Sequence, residues 1–148
     1  MKRKMFLLLL ILAWFLVVLT CVVLVSRPDN LTRDQSFSLV RENHAFLRQC
    51  IDANDPDRAL ALQGIQKAHV DQEEGYVDFS CGGAGLTPSS SDYGFYYSPA
   101  DLPLAADVTA TNQLTPQANG WGWKQPDGDN TYYTERIMDC WYYYESHF

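Results

Sequence analysis

This chain of 148 residues predicts an α+β domain held behind one membrane-spanning helix. Three observations carry that prediction. Met5 to Val25 is an apolar run without a charge, preceded by Lys2, Arg3 and Lys4. Past it, Phe37, Val40, His44, Leu47 and Ile51 recur at spacings of three and four, the period of one helix face. From Tyr76 onward the chain turns into short aromatic strands separated by glycine, proline and aspartate.

The apolar run comes first. A helix of 21 residues reaches roughly 31 Å, close to the hydrocarbon thickness of a bilayer. Backbone groups in lipid must be paired internally, so the run is expected as a helix. The basic residues in front of it, against only Arg27 just behind it, place the N-terminus inside. Residues 1–4 then form a cytoplasmic basic cap, 5–25 the transmembrane segment, 26–31 a linker, and 32–148 an extracytoplasmic domain. A cleaved signal peptide would have a shorter apolar core, and a cut after Ser26 would put bulky Leu24 three positions before it. A lipid-modified Cys21 would need small residues in front of it, where Val18, Leu19 and Thr20 stand. A retained signal anchor fits better than either.

The next segment reads as an amphipathic helix. Thr32 and Gln35 form a capping-box pattern, and Asp34 suits the positive end of the helix dipole. Leu39, Phe46 and Cys50 widen the apolar stripe, and His44 falls on it as an expected core histidine. Asp55-Pro56 marks the start of a short helix through about Leu62, ended by Gly64. Lys67 to Asp71 and Tyr76 to Cys81 flank Gly75 and read as a hairpin, with a longer helix to about Gln72 as the rival for 65–72. Cys81-Gly82-Gly83-Ala84-Gly85 lacks the lysine of a phosphate loop and the spacing of a dinucleotide fingerprint. It is expected as a turn with positive φ, continued as loop through Asp92.

The remainder reads as a β-meander. Tyr93 to Tyr97 is one strand, and 98–118 a long connection. Gly120 to Lys124 is a second strand, with Trp121 and Trp123 on one face. Gln125 to Asn130 is a turn, and Thr131 to Phe148 two strands broken near Asp139. Aromatics fall on both faces, so alternation leaves the inward face open. The last strand is expected inside the sheet.

Charge is distributed unevenly. Arg27 to His69 holds six basic and six acidic residues, whereas Val70 to the end holds two basic and twelve acidic ones. That acidic half repels phosphate backbones and anionic headgroups, which disfavours nucleic acid as a partner. Outside the membrane, Cys50, Cys81 and Cys140 permit one disulfide and leave one thiol, with the pairing open. They lack the spacing of a zinc site.

Several strings look familiar together: Val77 to Gly85, Tyr93 to Pro99, Gly120 to Trp123, Asp129 to Ile137 and Trp141 to Glu145. As a set they resemble uncharacterised short single-span extracytoplasmic proteins of Gram-positive bacteria. The resemblance covers the outer domain. It implies a bacterial envelope protein and supplies no activity, ligand or site residue. Under it, Asn30-Leu31-Thr32 is a chance match to a glycosylation signal.

No catalytic, cofactor-binding or metal site is expected from motifs. Asp127-Gly128-Asp129-Asn130 has oxygen ligands but lacks the rest of a calcium loop, and reads as a turn. No serine has the context of a Ser-His-Asp nucleophile. Glu135 and Glu145 on neighbouring strands match a glycosidase pair only by residue type, and solvated edges or pairing with Arg136 explain them better. Arg136 is expected against Glu135, Glu145 or Asp78. Nine tyrosines, three tryptophans and three phenylalanines lie between Tyr76 and Phe148. Most are expected in the core and in cross-strand pairs, while Trp121, Trp123, Tyr142 and Tyr144 are the candidates for a ligand-stacking face. The expected function is a non-catalytic, membrane-anchored binding or interaction module of the cell envelope, with an envelope protein or glycan as partner. A pilin-like assembly subunit is the alternative, although no glycine cleavage site with a nearby glutamate follows Lys4. A small wall-directed hydrolase is the third.

Overall fold

A computed structural model of the chain describes residues 30–72, 75–86, 89–105 and 113–148. The apolar run at 5–25 lies outside the described residues. Among those residues no helix is long and apolar enough to cross a membrane.

Helix α1 spans Arg33–Asp52 and starts at the predicted capping box, with Thr32 and Gln35 bonded reciprocally. Its stripe buries Phe37, Val40, Leu47 and Cys50. His44 corrects the expectation. It is exposed, and its Nδ1 lies 3.0 Å from the Arg41 carbonyl. The true stripe drifts toward Ser36 and Cys50 and leaves position 44 at its edge. The following short helix is a 3-10 turn, Pro56–Ala61, with proline in its first turn as predicted but without a side-chain cap from Asp55.

Among the described residues seven strands form one antiparallel sheet: β1 Lys67–Val70, β2 Val77–Leu86, β3 Ser89–Tyr97, β4 Thr115–Pro116, β5 Trp121–Lys124, β6 Thr131–Met138 and β7 Trp141–His147. Their spatial order is β1-β2-β3-β7-β6-β5-β4. The hairpin reading of 67–81 is correct, with Val70 opposite Val77. The loop expected over 82–92 is not. β2 continues through the glycines to Leu86, and β3 already begins at Ser89. Positive φ occurs at Gly82 and Gly85, within the strand and not in a turn. A register shift between Ser80 and Gly82 absorbs the extra residue as a bulge. β4 is an edge strand within the predicted connection.

Register resolves the ambiguity of the two aromatic faces, because both are covered. Under α1 and the 3-10 turn lie Val77, Phe79, Phe95, Tyr97, Ile137, Trp141 and Tyr143. On the opposite face lie Tyr96, Tyr132, Tyr142 and Tyr144, covered by Leu104 and Ala105 of the β3–β4 connection. A helix packs one face of a sheet, and here a strap of irregular chain packs the other.

Tyrosine hydroxyls hold that strap. Leu104 N–H donates to the Tyr96 hydroxyl at 2.8 Å, and the Tyr132 hydroxyl donates to the Leu104 carbonyl at 3.0 Å. The Tyr142 hydroxyl donates to the Asp101 carbonyl at 2.8 Å. Asp101, at φ 54°, accepts the Cys140 N–H at 2.8 Å and pairs with Arg136. These contacts hold its carboxyl below the usual range, with the Cys140 amide the main cause. Arg136 therefore pairs with Asp101 and Asp139, not with Glu135, Glu145 or Asp78. Cys50, Cys81 and Cys140 are all free thiols, so none of the pairings that sequence leaves open is formed.

Candidate ligand-binding site

Along β2 the alternation that buries Val77 and Phe79 under α1 turns Asp78 to the strap face. Asp78 lies opposite His69 of β1 and Tyr96 of β3. One row further, β3 carries Gly94 between Ser80 and Tyr144. A Cβ on Gly94 would run into the Phe79 carbonyl and stand 3.0 Å from the Tyr144 ring. The missing side chain leaves room over β3, across which the Tyr144 hydroxyl acts on the Asp78 carboxylate and favours its charged form.

These residues wall a cavity of about 240 Å³ between the sheet and the strap. Tyr76, Tyr96, Tyr132 and Tyr144 supply its aromatic surface. Leu104 and Ala105 of the strap cover it, and Asp78, Asp92 and Ser146 are its polar groups. The rings brace one another: Tyr132 stacks on Tyr144 at 6.2 Å, and Tyr76 meets Tyr96 edge-on at 6.3 Å. Burial pushes the Asp78 carboxyl up to about 6, with exposed Asp92 adding to the rise, while the Tyr144 hydroxyl and His69 oppose it. Burial and the Asp78 charge hold the Tyr144 phenol protonated far above its ordinary range.

Trp121, Trp123, Tyr142 and Tyr144 all sit on this same face. Trp121 and Trp123 are half-buried beside the cavity, toward the β4 edge. Tyr142 is 1 % exposed and offers no ring face, whereas Tyr144 lines the cavity wall. The structure thus brings only Tyr144 of the four into the cavity lining. Sequence offers Asp78 only as a partner for Arg136. The signal that could have marked it is a carboxylate in a strand whose alternate residues are core apolars, with a glycine set into the aromatic strand that follows.

Glu135 and Glu145 lie on the helix-covered face, each opposite a tyrosine of the neighbouring strand. Arg33 donates to Glu135 from Nη2 at 2.5 Å and from Nε at 3.1 Å, and the Tyr133 hydroxyl donates to it at 2.8 Å. Glu145 accepts the Tyr143 hydroxyl at 2.5 Å. Asp127 and Asp129 stand exposed in the β5–β6 turn. Among the described residues no three His, Cys, Asp or Glu side chains gather as a metal-binding group.

Fold and cavity together define the class: a single-sheet α+β domain with a tyrosine-walled, acidic cavity under an irregular strap. No protein-family model matches the chain, and no curated protein or solved structure shows a significant match to it.

Proposed function

We propose that this chain is a membrane-anchored extracytoplasmic binding module of the cell envelope, and that it receives a small ligand in the tyrosine-walled cavity. The apolar run at Met5 to Val25 behind three basic residues supports the anchor and its orientation. The cavity carries the binding reading. Small-molecule sites are concave, mostly apolar and equipped with a few convergent polar groups, and this one joins four tyrosines to Asp78, Asp92 and Ser146. At about 240 Å³ it suits a ligand smaller than a typical drug molecule. A non-catalytic role is favoured because both suggested catalytic carboxylates are occupied, Glu135 by Arg33 and Tyr133 and Glu145 by the Tyr143 hydroxyl.

Two measurements test this. A membrane-impermeant maleimide applied to intact cells should label half-exposed Cys140 and fail on Cys140→Ser. Labelling only after lysis would reverse the orientation. The full chain in detergent should gain thermal stability from at least one member of a panel of small sugars, amino acids and amines. That gain should vanish in Ala105→Leu and Ser146→Val, which fill the cavity. Hits that survive both variants would place binding elsewhere.

A further inference from the structure

The chemistry of the cavity wall narrows what it can hold. We infer that the cavity selects a small organic ammonium ion, its charge against Asp78 and its carbon substituents against the tyrosine rings. This rests on the reading of the cavity as a ligand site.

The first reason is which groups of the wall are already engaged. A sugar needs many hydrogen-bonding groups around it. Here the Tyr96 hydroxyl is held by Leu104 N–H and Thr134, and the Tyr132 hydroxyl by the Leu104 carbonyl. The Tyr144 hydroxyl interacts with the Asp78 carboxylate. What those three tyrosines present to a ligand is therefore ring surface. Ring faces carry negative quadrupole charge and attract cations, an alkylated ammonium above all, since its methyl groups also bury apolar surface.

The second reason is charge. Asp78 and Asp92 both line the cavity, and among the described residues no lysine or arginine does. Two carboxylates beside aromatic rings repel an anionic ligand and leave a neutral one unrewarded. An ammonium is matched by both kinds of wall. The third reason is size. Water occupies about 30 Å³ per molecule in the liquid, so a space of about 240 Å³ holds only a handful of non-hydrogen atoms with their contacts. Tetramethylammonium and choline are on that scale.

Asp78 must be ionised to hold the cation. The groups that face it or act on it are His69 from β1, Asp92 and Tyr96 from β3, Tyr132 from β6 and Tyr144 from β7, with Cys81 behind the strand. Burial outweighs the help of Tyr144 and His69, so the empty site protonates near pH 6. Affinity for the cation is then expected to fall as pH drops below about 6.

The test is calorimetric titration of the full chain in a neutral detergent. Its probes are tetramethylammonium, choline, methylammonium and 3,3-dimethylbutan-1-ol, the uncharged isostere of choline. At pH 7.5 at least one ammonium should bind, and choline at least tenfold more tightly than the isostere. Asp78→Asn should weaken ammonium binding at least tenfold while leaving the isostere unchanged, which also shows that the variant is folded. Tyr144→Phe, a milder change, should weaken it less and raise the pH at which affinity is lost no further than pH 7. Equal binding of choline and the isostere would overturn the cation while keeping the cavity as a ligand site. If none of the three ammonium ions binds at millimolar concentration, the inference fails. If cavity-filling Ala105→Leu also leaves every thermal-shift hit intact, the cavity reading fails with it.

Discussion

The Tyr96 hydroxyl lies 2.8 Å from the Thr134 hydroxyl, joining β3 to β6 over the top of β7, which separates them in the sheet. Thr134 gives its own proton to the Tyr143 carbonyl at 2.9 Å. Tyr96 must therefore donate to Thr134 and accept from Leu104 N–H, since each hydroxyl has one proton. The result is a directed chain from strap amide to phenol to threonine to strand carbonyl.

This chain should be cooperative. Tyr96→Phe leaves a strap amide without its acceptor and should cost about 1–3 kcal/mol. Thr134→Val should cost about 1–2 kcal/mol, because Tyr96 can turn to the Leu104 carbonyl 3.2 Å away. Chemical denaturation of both single variants and the double variant gives the coupling, which should exceed about 0.5 kcal/mol. Strict additivity would show that the two hydroxyls act separately.

Arg33 is the clamp between helix and sheet. It reaches across 102 positions to Glu135, whose side chain is 12 % exposed while that of Arg33 is 40 % exposed. Arg33→Met keeps the packing stem over Phe37 but leaves the carboxylate with the Tyr133 hydroxyl alone. The expected loss is about 2 kcal/mol, between the values for surface and buried pairs. Arg33→Met with Glu135→Gln should recover part of it in denaturant melts. A double variant weaker than the single one would contradict the clamp.

Asp78 should destabilise the empty domain at neutral pH. Its folded-state pKa, about 6, lies above the ordinary 3.8, so the folded protein binds the extra proton between those values. Stability from this group therefore rises as pH falls through that window. Asp78→Asn keeps an acceptor for Tyr144 and removes the buried charge, so it should raise stability at pH 7.5 by about 1–2 kcal/mol after allowance for partial exposure. The difference from wild type should shrink as pH falls toward 4. Melts in which the difference grows on acidification would contradict the burial of this charge.

Gly94 should tolerate no side chain. Even alanine would press on the Phe79 carbonyl, which cannot withdraw without parting β2 from β3, and on the Tyr144 ring of β7. We expect Gly94→Ala to cost more than about 2 kcal/mol, in the overpacking range. It should also blunt the near-ultraviolet signal of the tyrosine layer. A neutral effect on melting would show that Tyr144 has room to spare.

Periodicity and caps make α1, the first hairpin and the β5–β6–β7 meander legible in sequence, because each depends on neighbours within a few positions. What stays hidden depends on partners far along the chain. Alternation in β7 names its two faces but gives no sign that a strap from residues 98–105 covers one of them. The glycine run hides a strand because glycine's usual meaning is a turn, while here it lets β2 bulge and lets Tyr93 approach Gly82. Arg136 points to the wrong partners in sequence because Asp101 becomes its neighbour only through the strap. The cavity is half legible. Tyr144 stands out as a stacking candidate, yet Asp78 gains its meaning only from Gly94, sixteen positions later and one strand over.

The position of β7 has a consequence in time. Among the described strands it comes last in chain order and fourth of seven across the sheet. Until it is inserted, β1–β2–β3 and β4–β5–β6 are two separate ribbons, each with a bare inner edge of unpaired amides and carbonyls. In the native order neither ribbon pairs with the other's edge, since β7 lies between the β3 and β6 backbones. The nascent chain must therefore hold both edges apart from other chains while its final strand is still arriving, and for this protein the hazardous interval of folding is the wait for one seven-residue keystone.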